Sequence, residues 1–196
     1  MCSAVANIYR KGGREKYRED SFYPTDAAAT TALMIAEQAF MPGGAVYDGA
    51  CGDGAILKVV AQWGRRVSGT DLIDRGYGRG GVDFLTLKKL PADILIMNPP
   101  YDAGLDEAFL RHAIALRPVY IAFLLKSQFF HAKRRLAISD LCAPARVYPL
   151  SWRIDFTGKR RPHATSSWFI FTPRTPTRAG YTRTMRALEH PTRKGE

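Results

Sequence analysis

The tetrapeptide Asn98-Pro99-Pro100-Tyr101 combines hydrogen-bond acceptors with an aromatic ring. The amide oxygen of Asn98 and the backbone carbonyl of Pro99 can each accept a hydrogen bond, and Tyr101 offers a flat face for stacking. These groups suit a flat heterocycle with an exocyclic amino group, because two acceptors match its two N–H protons. The same four residues are also compatible with a proline-stiffened turn.

A strand has to position this tetrapeptide. Residues 92–97 form a short apolar run, which predicts a buried strand of a parallel sheet. Two consecutive prolines cannot continue a ladder, because neither has a backbone N–H, so the strand ends at Asn98. Ligands bind at the carboxyl ends of central strands in open α/β sheets, which makes residues 98–101 a candidate site.

A second candidate site follows an earlier strand, predicted at residues 45–47. The segment Asp48-Gly49-Ala50-Cys51-Gly52-Asp53-Gly54, called the glycine turn below, joins this strand to a helix predicted at 55–63. Glycines allow the backbone to approach a ligand closely. Asp71 ends the next strand, where a carboxylate can accept hydrogen bonds from ribose hydroxyls. A nicotinamide dehydrogenase would fit these two features but does not explain the tetrapeptide.

The rest of the chain supplies the elements around these two sites. Helices are predicted at 26–40, 105–116 and 132–141, with strands at 66–70, 119–125, 146–150 and 168–172 and a short element at 82–85. Alternation of strand and helix predicts a mostly parallel sheet with right-handed crossovers, and the last two strands should form an antiparallel hairpin at one edge. The glycine-rich segment 76–81 looks like a dinucleotide fingerprint but sits in the wrong context, so a mobile loop is expected.

Composition narrows the class of protein. The chain has 196 residues, 46% of them hydrophobic, enough for one sizeable core. A formal net charge of +11 indicates an anionic partner, nucleic acid first and an anionic membrane surface second. The three cysteines and four histidines show no disulfide or metal-site spacing, so no metal is expected. No secretory signal or membrane span is evident, and a soluble, cytoplasmic protein is expected.

Taken together, the glycine turn and the tetrapeptide resemble two motifs of the seven-stranded S-adenosylmethionine-dependent methyltransferases. The similarity is greatest to amino-methyltransferases that modify adenine in DNA, particularly small ones of phages and prophages. Phe22-Tyr23-Pro24-Thr25 is similar to a segment that contacts the methionine part of the cofactor in one subgroup. The resemblance covers residues 22–172 and implies a Rossmann-like α/β fold.

The resemblance also implies roles for single residues. The implied cofactor-binding residues are Tyr23, Thr25, Asp48, Gly49, Ala50, Gly52, Asp71, Leu72, Asp83, Phe84 and Asn98. Within this set, Asp71 would hold the ribose, Asp83 the adenine amino group and the glycine turn the methionine end. Asn98, Pro99, Pro100 and Tyr101 would be catalytic, acting on a base flipped out of the nucleic acid, whereas Cys51 and His112 are expected to pack in the core.

Nucleic acid is expected to bind the loop between the last two strands. Its candidate contacts are Arg153, Lys159, Arg160 and Arg161. Residues 1–21 are expected to form a flexible basic arm and residues 173–196 a basic tail, disordered until bound. The chain after Thr172 is too short for a separate target-recognition domain, so specificity should be low, confined to this loop or supplied by a partner.

Several alternative substrates and functions are compatible with the sequence. DNA is favoured over RNA, whose adenine or guanine amino groups could use the same acceptors. Transfer to a cytosine amino group, a protein-glutamine methyltransferase and a non-catalytic nucleic-acid-binding module are further alternatives. Methylation of a cytosine ring carbon is disfavoured because the chain has no Pro-Cys dipeptide to supply the nucleophile.

Overall fold

The computed structural model describes residues 24–155, 165–175 and 184–191. Within these ranges the chain forms seven strands and four α-helices. The strands are β1 (Val46–Asp48), β2 (Val67–Gly69), β3 (Ile94–Met97), β4 (Tyr120–Lys126), β5 (Arg146–Pro149), β6 (Ser166–Phe171) and β7 (Thr184–Met185), and the helices are α1 (Ala27–Glu37), α2 (Ala55–Gln62), α3 (Leu105–Ala115) and α4 (Leu136–Leu141). The predicted arm, Tyr23, Lys159, Arg160 and Arg161 lie outside the described residues.

All seven strands belong to one sheet, in the order β2-β1-β3-β4-β6-β5-β7. The first four strands in the chain pair in parallel, and β6 runs antiparallel to both β4 and β5. This mixed, mostly parallel sheet is the Rossmann-like α/β arrangement that the sequence predicted. The antiparallel pair β5–β6 is not quite at the edge, however, because β7 pairs in parallel with the outer side of β5.

Alternate residues of the central strands pack against helices on opposite faces of the sheet. On one face, Ile94 and Ile96 join a core cluster that includes Leu33 of α1 and Leu57 of α2. On the other face, Leu95 joins a core cluster that contains residues of α3 and several buried aromatic side chains. Since both faces are covered, the strands read as continuous apolar runs rather than as alternating ones. Within the described residues, no helix has the length and apolar character needed to cross a bilayer.

Helix α1 is capped at its N-terminus and held to the sheet at its C-terminus. Asp26 caps its N-terminus by accepting a hydrogen bond from the Ala28 backbone N–H. At its C-terminus the fully buried carboxylate of Glu37 accepts hydrogen bonds from Arg146, Tyr120 and Tyr148. Because the guanidinium and two hydroxyls surround this carboxylate, the buried charge is compensated.

The structure differs in detail from three local predictions. The short element expected at 82–85 is a 3-10 helix, Phe84–Thr86, because the Asp83 side chain accepts from the Leu85 backbone N–H and caps it. The helix expected at 132–141 is divided into a 3-10 turn, Lys133–Arg135, and α4. The tail is ordered in part, since β7 pairs with β5 and the Leu188 side chain is buried.

The segment 76–81 also differs from the mobile loop that was expected. Arg79 exchanges backbone hydrogen bonds with Gly69 and Asp71, and the Cys51 thiol lies 3.3 Å from the Tyr77 carbonyl. A Cβ atom built on Gly78 would meet the Gly69 carbonyl oxygen at 2.5 Å. The glycines therefore let this loop pack directly on the end of β2.

Candidate active site

One open pocket lies at the carboxyl ends of β1, β2 and β3. It is lined by residues within five segments, 24–25, 48–56, 71–75, 82–84 and 98–100, and by Phe109 of α3. The glycine turn and Asn98-Pro99-Pro100 of the tetrapeptide, which are far apart in the sequence, thus face the same space, whereas Tyr101 is not among the lining residues. The side chain of Asn98 is half-buried at this wall rather than turned into the core.

Two carboxylates shape the glycine turn. Asp48 accepts a hydrogen bond from the Ala50 backbone N–H at 3.0 Å, and Asp71 accepts one from Gly52 at 2.8 Å. Gly52 and Gly54 have φ angles of 55° and 81°, in the left-handed region that glycine adopts most readily. A Cβ atom on Gly54 would lie 2.4 Å from the Tyr77 ring, so this glycine is required for packing as well.

The environment of Asp48 shifts its protonation. Its side chain is 1% exposed, and this burial raises its pKa to about 8, with a further small rise from the nearby Asp71. The hydrogen bond from Ala50 opposes the shift without cancelling it. In the absence of a ligand, Asp48 is therefore largely protonated at neutral pH, and a cationic group in the pocket would favour its ionised form.

Asp71 and Asp83 provide further acceptors along the same wall. The second oxygen of Asp71 accepts from the Ile73 backbone N–H at 2.9 Å, and Leu72 between them also lines the pocket. Each carboxylate oxygen has more than one lone pair, so these backbone bonds leave acceptor capacity. The Phe84 ring is 1% exposed and stacks on Phe109 at 5.0 Å, so it forms part of the pocket floor.

The tetrapeptide is organised by side-chain hydrogen bonds. Asn98 donates from Nδ2 to the Thr25 hydroxyl at 3.1 Å, and its Oδ1 accepts from the Tyr101 hydroxyl at 2.6 Å. The Leu124 carbonyl lies 2.9 Å from the same hydroxyl. The Tyr101 hydroxyl therefore points inward, and its burial raises the pKa of the phenol well above the ordinary value.

Two contributions to this wall were not predicted from the sequence. Thr25 was assigned to the cofactor through the resemblance, but the structure also shows it orienting the Asn98 amide. The ammonium of Lys126, which had no predicted role, lies 5.7 Å from the centroid of the Tyr101 ring. Its position directly after the apolar run 119–125 was the available signal, because it marks the carboxyl end of the next parallel strand.

Cys51 and His112 have the properties of packing residues. Burial, with the nearby Asp48 and Asp71 carboxylates, raises the pKa of the Cys51 thiol to about 12, so the thiolate is scarce at neutral pH. The His112 ring meets Phe84 edge-on at 5.2 Å, and burial lowers its pKa. Neither side chain offers a nucleophile or a base to the pocket.

The predicted nucleic-acid loop can be followed only at its ends. Arg153 is exposed, whereas Lys159, Arg160 and Arg161 lie in the stretch that the structure does not describe. The loop leaves β5 next to Ser167 and enters β6 at Ser166, which pairs with Lys126 at the carboxyl end of β4. Both ends therefore lie at the same edge of the sheet as the pocket.

Comparison with known proteins places the fold. No protein-family model matches the chain, and no curated protein matches it. A solved structure described as an RNA methyltransferase from Pyrococcus horikoshii matches with a TM-score of 0.62 at 16% identity, covering 87% of this chain and 97% of that one. One described as a class I S-adenosylmethionine-dependent methyltransferase from Listeria monocytogenes matches with a TM-score of 0.58 at 12% identity, covering 96% and 72%.

A methyltransferase subunit of a type I restriction-modification system from Streptococcus thermophilus also matches, with a TM-score of 0.54 at 18% identity. The match covers 78% of this chain but only 45% of that subunit, so the present chain spans less than half of its length. At these identities the likeness concerns the fold. The chain has the Rossmann-like fold of the class I S-adenosylmethionine-dependent methyltransferases.

Proposed function

We propose that this protein is an S-adenosylmethionine-dependent methyltransferase that modifies the exocyclic amino group of adenine in DNA. One observation carries the proposal: the glycine turn and the first three residues of the tetrapeptide, Asn98-Pro99-Pro100, line a single pocket. A donor and an acceptor bound at these two walls would share that space, as direct transfer between them requires.

The residues on one wall suit S-adenosylmethionine. Its ammonium, ribose hydroxyls and adenine amino group are all hydrogen-bond donors, and the wall presents the carboxylates of Asp48, Asp71 and Asp83. In this proposal Asp71 holds the ribose, Asp83 the adenine amino group and Asp48 the ammonium beside the glycine turn. When bound, S-adenosylmethionine supplies a methyl group on a positively charged sulfur.

The other wall suits the target amine. The Asn98 amide oxygen and the Pro99 carbonyl would accept the two protons of the amino group and direct its lone pair towards the pocket. An amide oxygen has two lone pairs, so Asn98 can accept from the target while it accepts from Tyr101. Thr25 fixes the amide plane by accepting from its Nδ2.

The reaction needs little more than this positioning. The nitrogen lone pair would form the new N–C bond as the C–S bond breaks, and the electron pair of the C–S bond would stay on sulfur. Charge at sulfur is neutralised rather than created, and the extra proton on nitrogen then leaves to water. Orientation should therefore supply most of the acceleration, without a strong base.

Nucleic acid is the substrate class that the charge favours. A formal net charge of +11 is more than solubility needs. A base in duplex DNA must first be flipped out, which costs a few kcal/mol. Stacking on an aromatic ring such as Tyr101 is worth about 1–3 kcal/mol and offsets part of that cost.

The test is a transfer assay with labelled S-adenosylmethionine and three substrates in parallel: duplex DNA, single-stranded DNA and total RNA. Digestion to nucleosides identifies the product, and we expect label in N6-methyldeoxyadenosine. Label only in RNA nucleosides would change the substrate while keeping the chemistry. Absence of label from every nucleic acid, in a preparation that binds S-adenosylmethionine, would overturn the proposal.

A further inference from the structure

A basic surface follows β4 at the pocket edge of the sheet. The last residue of β4, Lys126, and two residues of the connection to α4, Lys133 and Arg134, have exposed side chains, and this connection contains no acidic residue. We call these three side chains the basic strip. Among the described residues, Lys126 and Lys133 form no salt bridge, so their charges are not neutralised there.

Several contacts fix this surface beside the tetrapeptide. The Lys126 ammonium lies over the Tyr101 ring, 5.7 Å from its centroid. Arg135 pairs with Asp106 at 3.0 Å, and Arg134 pairs with Glu107 at 3.1 Å, in the first turn of α3, the helix that follows the tetrapeptide. The basic strip is therefore attached to the wall that would hold the target.

Arg135 shows how this surface is anchored. Its side chain is 13% exposed, and its guanidinium lies 4.0 Å from the Phe129 ring while it pairs with Asp106. This arginine is already used within the protein. Lys126 and Lys133 are instead exposed without a salt bridge among the described residues, and Arg134 stays two-thirds exposed although it pairs with Glu107.

We propose that the basic strip binds the phosphates around the target nucleotide, with Lys126 holding the phosphate of the flipped nucleotide itself. The inference rests on the proposed function and assigns it substrate-binding residues other than Arg153, Lys159, Arg160 and Arg161. A base that stacks on Tyr101 brings its own phosphate within reach of a lysine side chain beside that ring. Phosphate contacts of this kind position the strand without reading its sequence.

The chain offers a matched control for Lys126. Lys58 on α2 is also exposed, and its ammonium lies 5.6 Å from the centroid of the Tyr77 ring. Lys58→Gln removes the same charge and the same kind of lysine–tyrosine contact. Its partner ring packs on the glycine turn rather than beside the tetrapeptide, so it should not contact the target strand.

The experiment measures affinity of the full chain for a fluorescent DNA duplex between about 50 and 200 mM salt, where counterion release gives a linear dependence. Lys126→Gln should reduce the slope of log affinity against log salt by about 0.9, and Lys126→Gln/Lys133→Gln by about twice that. Lys58→Gln should leave the slope unchanged. An unchanged slope in the double variant, or an equal loss in Lys58→Gln, would overturn the inference.

Further readouts separate this inference from the proposed function. Calorimetric titration should give all variants the wild-type affinity for S-adenosylmethionine, and thermal melting should show that they fold. Methyl transfer by Lys126→Gln should show a raised KM for DNA with kcat retained. Methyl transfer by variants whose salt slopes are unaltered would overturn only the role of the basic strip. Altered slopes in a protein that transfers no methyl group would overturn only the proposed function.

Discussion

The two walls of the pocket are built differently. On the wall formed by the glycine turn, Asp48 and Asp71 bind backbone N–H groups and keep further acceptor capacity towards the pocket. On the wall formed by the tetrapeptide, the acceptor oxygen of Asn98 shares the single proton of the Tyr101 hydroxyl with the Leu124 carbonyl. The hydrogen bonds that shape the first wall are formed without a ligand, and only the protonation of Asp48 has to change on binding, whereas the second wall must share an internal hydrogen bond with its substrate.

This difference separates binding from turnover. A preformed wall of acceptors costs little to organise when a donor-rich ligand arrives, so it should set affinity for the methyl donor. An acceptor oxygen that is already hydrogen-bonded within the protein discriminates between substrates. Only an amine with a well-placed proton can form a hydrogen bond that matches the internal one. Substitutions on the two walls should therefore affect different kinetic constants.

The largest effect is expected from Asn98→Ala. Losing one preorganised hydrogen-bonding group typically lowers kcat by about 10²–10³-fold. Affinity for S-adenosylmethionine, measured by calorimetry, should stay near the wild-type value because the carboxylates of the other wall are untouched. A variant that lost donor affinity as severely as turnover would show that the two walls are not separable.

Asp71→Asn should give the opposite pattern. Hydrogen bonds to a charged group contribute about 1.5–3 kcal/mol, so losing one should weaken donor binding by about 10- to 150-fold. Turnover at saturating donor should change little. Asp74→Asn is the matched control, since Asp74 makes the same kind of bond to the Gly76 backbone N–H at 3.0 Å on the exposed side of the loop.

Donor binding should also depend on pH through Asp48. Its pKa of about 8 in the ligand-free protein means that binding an ammonium group expels the carboxyl proton. Affinity should therefore rise with pH, by less than tenfold per unit, between about pH 5.5 and 7.5, where the ligand ammonium stays charged. Calorimetry in two buffers of different ionisation enthalpy measures the released proton, and Asp48→Asn should abolish the release.

The smallest effects concern the hydrogen bonds that orient the Asn98 amide. Tyr101→Phe keeps the ring but removes the hydroxyl, and Thr25→Val removes the acceptor of the Nδ2 proton. A neutral hydrogen bond contributes about 0.5–1.5 kcal/mol, so each change should lower kcat by about 2- to 12-fold. A rise in kcat for Tyr101→Phe would show instead that the internal bond competes with the target.

Patterns local in the sequence predicted much of this architecture. The apolar run ending in two prolines predicted β3 and the position of Asn98 at its end. Glycines between a strand and a helix predicted the turn after β1. In both cases adjacent residues determine the structure, because prolines stop a ladder and glycines permit left-handed backbone.

The features that were missed depend on partners distant in the chain. Strand β7 has two residues and exists only because β5 offers it an edge. The hydrogen bond between Thr25 and Asn98 joins residues 73 positions apart, and no local pattern indicates it. The candidate role of Lys126 depends on the pairing of β4 with β3, because this pairing places the Lys126 side chain against Tyr101.

The carboxylate of Glu37 has a consequence for chemistry that it never touches. It holds the C-terminus of α1 to the sheet, and Thr25 directly precedes the N-cap at the other end of this helix, about 16 Å away along the axis. Loosening that anchor would let the helix drift and turn the amide at position 98 out of alignment. An assay would then show slow turnover with a normal affinity for the methyl donor, although the cause would be the loss of a buried contact outside the pocket.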